Sequence, residues 1–179
     1  MEACCLISNI LMQFNFPPNQ KIILLSLFSK LTHATKKISP KSYPLDEAIN
    51  LVKLLKEKGI FTIQIGISEE SDIESDIRYN NLSFMELKEL FFKIDSFVCV
   101  DNFYQHFAHY YDPNKKGIVI FSQSDPKLFG HNSNINLIKD KKYLRPGKEQ
   151  YQYWENAFFL QNSFVEPNII LENVIKLCQ

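Results

Sequence analysis

The sequence predicts an α/β domain in which a parallel β-sheet carries helices on both faces. Short apolar runs of strand length recur along the chain, segments of helical periodicity stand between them, and strand and helix alternate three times between Lys21 and Phe121. Composition agrees: 179 residues with 45% hydrophobic and 22% charged side chains are enough for one domain with its own core.

The elements follow in order. Pro17-Pro18-Asn19 punctuates the chain, and the apolar run from Lys21 to Phe28 reads as a strand buried on both faces. A polar stretch from Ser29 to Tyr43 leads to a helix. Its marks are Pro44 at the first position, Asp46 and Glu47 in the first turn, Lys53, Lys56 and Lys58 late, and Gly59 past the end. Leu45, Ala48, Ile49, Val52 and Leu55 fall on one face of it. Phe61 to Gly66 is the second strand, and strand, helix, strand make a βαβ unit with a right-handed crossover. The acidic run Ser68 to Asp76 reads as a solvated loop before a short strand at Ile77 to Asn80.

Ser83-Phe-Met-Glu86 is a capping-box pattern, opening a helix to Ile94 that buries Leu87, Leu90, Phe91 and Ile94. Ser96 to Val100 is the next strand, Asp101 stands where it can cap a helix to about Tyr111, and Gly117 to Phe121 is the strand after it. Beyond Ser122, Pro126, Gly130, Pro146 and Gly147 break the pattern, leaving one short strand at Ile135 to Ile138 and a last helix from Glu166-Pro167.

Several function classes are disfavoured. Twenty basic side chains balance twenty acidic ones, so no net field attracts a polyphosphate backbone and nucleic acid is not the expected partner. Cys4, Cys5, Cys99 and Cys178 lack both metal-site spacing and the density of a disulfide scaffold, which fits reduced thiols in a cytoplasmic protein. The apolar opening Met1 to Phe16 lacks a basic start and is broken by Asn9, Gln13 and Asn15. It reads as a segment packed on a neighbouring surface rather than an export signal or a transmembrane span.

In such a sheet the ligand sits beyond the carboxyl ends of the strands. After the first strand come Ser29, Lys30, Thr35, Lys36 and Lys37; after the second, Gly66 and Ser68; after Phe121, Ser122, Gln123, Ser124 and Asp125. Hydroxyls, lysines and a glycine suit a phosphate-bearing ligand, although lysines in a loop are as readily just solvated. The segment Val100 to Tyr110 puts a helix N-terminus, an anion-attracting feature, at this edge. Asp101 either caps that helix or contacts ligand hydroxyls. His106 shares a face with Phe103, Phe107 and Tyr110, so it is either a ligand contact or a core histidine. His106 and His109 lack a third ligand for a metal, and no Asp-x-Asp pair, phosphate loop or nucleophile elbow occurs.

From about Lys21 to Val174 the chain resembles the C-terminal, nucleotide-sugar-binding domain of the heptosyltransferase-like glycosyltransferases of family 9. The resemblance rests on the lysine-bearing loop with Lys36-Lys37, on Phe61-Thr-Ile-Gln-Ile-Gly66, on Val98-Cys-Val-Asp-Asn-Phe-Tyr-Gln-His-Phe-Ala108 and on Gly117-Ile-Val-Ile-Phe-Ser-Gln-Ser-Asp-Pro126. It implies a Rossmann-like domain over residues 21–179, one half of a GT-B fold, preceded by an apolar segment or linker over residues 1–20. It also implies a nucleotide-diphosphate sugar as donor substrate, with no cofactor and no metal. Asp101, Asn102 and His106 would face the sugar and its diphosphate, with Ser124 and Asp125 near them. Lys36 or Lys37 would hold phosphate, and Gln64, Gly66 and Leu82 would border the nucleoside. Asn102-Phe103 stands where that family has Thr-Gly, and Ser122 where it has glycine.

The resemblance further implies half an enzyme, with the acceptor-binding domain and the general base in a separate N-terminal domain or in a partner. A homodimer through the apolar N-terminus, or a non-catalytic interaction module that kept the fold, are the alternatives. Ala3 to Phe16 and the aromatics Tyr151, Tyr153, Trp154, Phe158 and Phe159 either cover the surface of the absent half or are ordinary core.

Overall fold

Five consecutive residues, Ile22–Ser26, are buried in the first strand, β1, as expected for a run with apolar side chains on both faces. The computed structural model describes residues 14–29, 39–151 and 159–179. Along it follow α1 (Leu45–Glu57), β2 (Phe61–Gly66), β3 (Ile77–Asn80), α2 (Phe84–Lys93), β4 (Ser96–Val100), α3 (Phe103–Tyr111), β5 (Ile118–Phe121), the short α4 (Pro126–Phe129) and β6 (Ile135–Ile138). Among the described residues, the 3-10 turns Lys141–Tyr143, Gly147–Tyr151 and Gln161–Ser163 then lead to α5 (Pro167–Cys178). The strands form one sheet in the order β3-β2-β1-β4-β5-β6, with every pairing parallel.

Alternation along the strands builds two cores. Ile23, Leu25, Val98, Val100, Ile118 and Ile120 face the side covered by α1 and α5, where Ala48, Leu51, Val52, Leu55, Ile170 and Val174 meet them. Leu24, Ile63, Phe97, Cys99, Val119 and Phe121 face the other side, against Leu87, Leu90 and Phe91 of α2 and Tyr104, Phe107 and Ala108 of α3. The predicted architecture, a Rossmann-like parallel sheet with helices on both faces, is therefore the observed one.

Local chemistry sets the ends of these elements. The α2 start is a reciprocal capping box: Ser83 accepts from the Glu86 N–H while the Glu86 carboxylate takes the Ser83 N–H and hydroxyl. Gly59, at φ +71°, takes the left-handed position just past α1, where a side chain would be strained. Leu45, expected inward on α1, is 40% exposed, and Leu51 fills the core instead.

Two loop assignments are corrected. The acidic run is no solvated loop throughout, because Ile73 within it is fully buried and Asp76 accepts the Thr62 N–H and hydroxyl while pairing with Lys56. Burial pushes the Asp76 carboxyl up, but the Thr62 hydrogen bonds and Lys56 outweigh it and hold the group below its usual range. The polar stretch before α1 also ends inside the protein. Tyr43 is buried and donates its hydroxyl to the Val165 carbonyl at 2.7 Å, which ties the entry of α1 to the entry of α5.

Of the aromatics weighed as cover for another domain, Phe14 is core, Phe159 packs against the α1 and α5 side, and Tyr151 is exposed. Ala3 to Gln13, Tyr153, Trp154 and Phe158 lie outside the described residues. No helix among the described residues is long and apolar enough to cross a membrane.

Candidate functional site

In this strand order the chain moves outward from β1 to β3 on one side and from β4 to β6 on the other, so the crevice beyond the carboxyl ends of β1 and β4 is the topological switch point. A cavity of about 570 Å³ opens there. Its floor is Ser26, Asp101 and Asn102; Gly66, Ile67 and Leu82 form the β2 side, Lys41 and Phe129 the opposite side, and Phe103 and His106 the α3 rim. A second cavity, about 690 Å³, is lined by residues 14–22 with Lys93 and Asp95 at the amino ends of β1 and β4. That is the edge opposite to the one where such sheets bind ligands, and its two lysines are engaged within the protein, Lys21 with Asp95 and Lys93 with the Phe14 carbonyl.

Asp101 is the hub of the first cavity. Its Oδ1 accepts from Gln105 Nε2 at 2.8 Å, and its Oδ2 from Lys41 Nζ at 2.7 Å and Ser124 Oγ at 2.5 Å. With 5% of its surface exposed, the carboxylate is spent on joining α3, the loop before α1 and the turn after β5. It does not cap α3. Asn102 does, accepting from the Tyr104 N–H at 2.9 Å, while its amide donates to Ser26 and to the Phe28 carbonyl at 3.0 Å. Asn102 is thus the clamp that fixes the ends of β1 and β4 to each other.

The same contacts correct the picture of α3 as an open anion site. The Asn102 N–H goes to the Val100 carbonyl, and the Tyr104 N–H to the Asn102 side chain. Phe103, 52% exposed, stands over the helix start with its ring edge-on to Phe84 at 5.6 Å. A glycine in its place would open close backbone approach, which the ring obstructs.

The other predicted residues divide. Gly66 and Leu82 line the cavity. Gln64 does not: it is 2% exposed on the α1 side of the sheet, where its amide donates to the Ser71 carbonyl and accepts the Ile73 N–H. It pins the acidic loop and touches no ligand space. Gln64→Leu is therefore expected to cost about 2 kcal/mol, because two loop backbone groups lose their partner. Ligand affinity should stay unchanged, as urea unfolding and ligand titration of the variant would check.

Ser124 is buried and serves Asp101; Asp125 caps α4 by accepting the Lys127 N–H and lies outside the cavity. Ser122 and Gln123 are buried structural groups, Ser122 donating to the Pro40 carbonyl. Lys30, Thr35, Lys36 and Lys37 lie outside the described residues. On either side of that loop, the Ser29 N–H donates to Ser42 Oγ at 3.0 Å, so both flanks are held together. Ser29 and Lys41 line the cavity.

His106 is exposed, so the core-histidine reading falls. Its Nδ1 lies 2.9 Å from Nε2 of His131. Among the described residues no group of three or more His, Cys, Asp or Glu is arranged to hold a metal ion.

Sequence reasoning passed over Lys41, the cavity's lysine among the described residues, because it falls in a stretch that reads as polar loop. The signal was local: Pro40 and Pro44 bracket it, and small Ser39 and Ser42 beside it are buried against the sheet edge. His131 and Phe129, far along the chain beyond β5, gave no signal.

No protein-family model matches the chain, and no curated protein matches its sequence. Solved structures match it in shape. A glycosyltransferase of family 9 from Veillonella parvula superposes with a TM-score of 0.63 over 88% of this chain at 9% identity. The fold is that of the heptosyltransferase-like glycosyltransferases. Escherichia coli ADP-heptose LPS heptosyltransferase II follows at 0.60 over 90% with 13% identity, and the E. coli heptosyltransferase WaaC, solved with ADP, at 0.58 over 91% with 14% identity. The chain spans only 46% of the V. parvula and WaaC structures and 47% of heptosyltransferase II, so it corresponds in extent to about half of each.

Proposed function

We propose that this chain is the donor-binding half of a cytoplasmic glycosyltransferase that holds a nucleotide-diphosphate sugar in the switch-point cavity, without metal. The observation that carries the reading is the division of the cavity: an apolar β2 side with Ile65, Gly66, Ile67 and Leu82 suits a nucleoside, and Lys41 with the hydroxyls of Ser26 and Ser29 suits a diphosphate. Support comes from the structural neighbours, one of which was solved with ADP.

In this reading Lys41 moves part of its interaction from Asp101 to the ligand, and Lys36 and Lys37 add charge from the adjoining loop. Cations placed where the departing diphosphate gathers negative charge lower the barrier to glycosyl transfer. Asp101 acts by holding Lys41, and His106 contacts the sugar from the rim. The acceptor and the general base come from a separate acceptor-binding domain or from a second copy of the chain.

Lys41→Gln keeps a donor for Asp101 but removes the charge. It is expected to weaken ADP binding about tenfold, the worth of one charged hydrogen bond, and to cost about 1–2 kcal/mol of stability because the buried Asp101 carboxylate loses its Lys41 countercharge. Lys36→Ala with Lys37→Ala should weaken it further, both by calorimetry. An unchanged affinity in Lys41→Gln would remove that lysine from the site.

One observation favours a second reading, a non-catalytic module derived from the same fold. Asp101 already takes three internal donors and Phe103 stands where the resembled enzymes have glycine. In that case ADP produces no response, and adding a separately made acceptor domain produces no transfer.

A further inference from the structure

The group formed by His106, His109 and His131 has no task in the donor reading beyond the one sugar contact. His106 and His109 stand one turn apart on α3, and His131 lies between α4 and β6. The His106 Nδ1 and His131 Nε2 atoms are 2.9 Å apart, and the His131 ring stacks on that of His109 with centroids at 3.9 Å. His106 also lines the cavity, so with Nδ1 engaged by His131, Nε2 is the ring nitrogen left for a ligand.

Two ring nitrogens at this distance need one proton between them. While both rings are neutral, either can supply it, and His106 Nε2 is then bare or protonated accordingly. After the pair takes up one proton there are two arrangements. A charged His131 donates to His106 Nδ1, which leaves the His106 proton on Nε2; or a charged His106 donates from Nδ1 and carries its second proton on Nε2. Both place a hydrogen on His106 Nε2. A second added proton sets N–H against N–H and breaks the contact.

We propose that His131 is a positioning residue that couples protonation of this pair to the cavity: one proton taken up makes His106 Nε2 an obligate donor, and anionic ligands bind more tightly as the pH falls through that step. The proposal rests on the cavity being a nucleotide site. Around the pair, α3 supplies His106 and His109, the segment after α4 supplies His131, and Lys41, Glu70 and Asp101 line the same cavity as His106. Burial, with the neighbouring charges of His109 and His106, holds His131 below the ordinary histidine range. A histidine so depressed adds stability above its unfolded value, about 6.5, and that part is lost as the pH falls through the folded value.

The test compares ADP affinity by calorimetry between about pH 7.5 and about pH 5, a window that extends below the ordinary histidine range, in the wild type and in His131→Gln. Glutamine can still meet His106 Nδ1 but does not titrate, and the titration of ADP itself cancels between the two proteins. The wild type is expected to tighten about fivefold more than the variant over this range, the worth of one hydrogen bond. Proton NMR of the rings should show the His106 titration displaced in His131→Gln, and that of His131 displaced in His106→Gln. Identical pH responses with unmoved ring titrations would overturn the coupling. If ADP fails to bind at any pH, the nucleotide reading falls, and the proposed coupling to ligand falls with it. The ring titrations still decide in that case whether the two histidines share a proton.

Discussion

Asp101→Ala is expected to lose about 3 kcal/mol of stability, enough to move a urea midpoint well outside error, and to abolish ligand binding in the same step. The carboxylate is buried and holds three donors from three separate segments: Lys41, Gln105 and Ser124. Alanine removes the Asp101 carboxylate from the Lys41 ammonium, whose side chain is only 23% exposed, and takes one acceptor from each of the buried Ser124 and Gln105 side chains. Asp101→Asn separates the two effects. It retains an oxygen for some of the donors and removes the charge, so it should lose about half as much stability while still misplacing Lys41. A wild-type midpoint in Asp101→Ala would mean that the three contacts do not form in solution.

The second large effect lies away from the cavity. Gly117, buried at the start of β5, has no room for even one carbon: a Cβ there would sit 2.2 Å from the ring of Phe97. That ring is fully buried and meets Tyr104 edge-on at 5.3 Å, so it has nowhere to turn. Gly117→Ala is expected to destabilise by about 3 kcal/mol through overpacking. Adding Phe97→Leu should return part of that loss, since the two positions share one space, and the double variant would then be more stable than the sum of the single effects allows. Strict additivity would contradict the packing argument. The glycine is at this position because the Phe97 ring of the neighbouring strand β4 fills the space a side chain would take, not because the chain turns.

The fold was legible because each strand is a short apolar run and each helix carries its own punctuation: Ser83 and Glu86 for α2, Pro44 and Gly59 for α1. Gly66 was legible as a residue of the ligand edge because it ends β2, whereas Leu82, just past β3, came only with the family resemblance. Side-chain partners were not. Strand alternation sends Gln64 to the α1 face, and nothing in the local sequence says which face is ligand space. Asp101 looks like a helix cap by its place before α3, yet the next residue, Asn102, caps and clamps at once, which frees the aspartate to become a hub. Lys41 and His131 come together with these residues only through the return of distant loops to the sheet edge, and long-range juxtaposition leaves no local pattern. Phe103 shows the same limit in reverse: the sequence marks it as a departure, and only the structure places its ring across the start of α3 and against Phe84.

A nucleoside diphosphate held in the switch-point cavity would shift the amides that line it. Backbone amide shifts of the labelled protein during an ADP titration test this most directly. Perturbations should cluster at Gly66, Ile67, Leu82, Asn102, Phe103 and Lys41, around both sides of the cavity. No perturbation, or a cluster at the opposite sheet edge around Lys21 and Asp95, would contradict it.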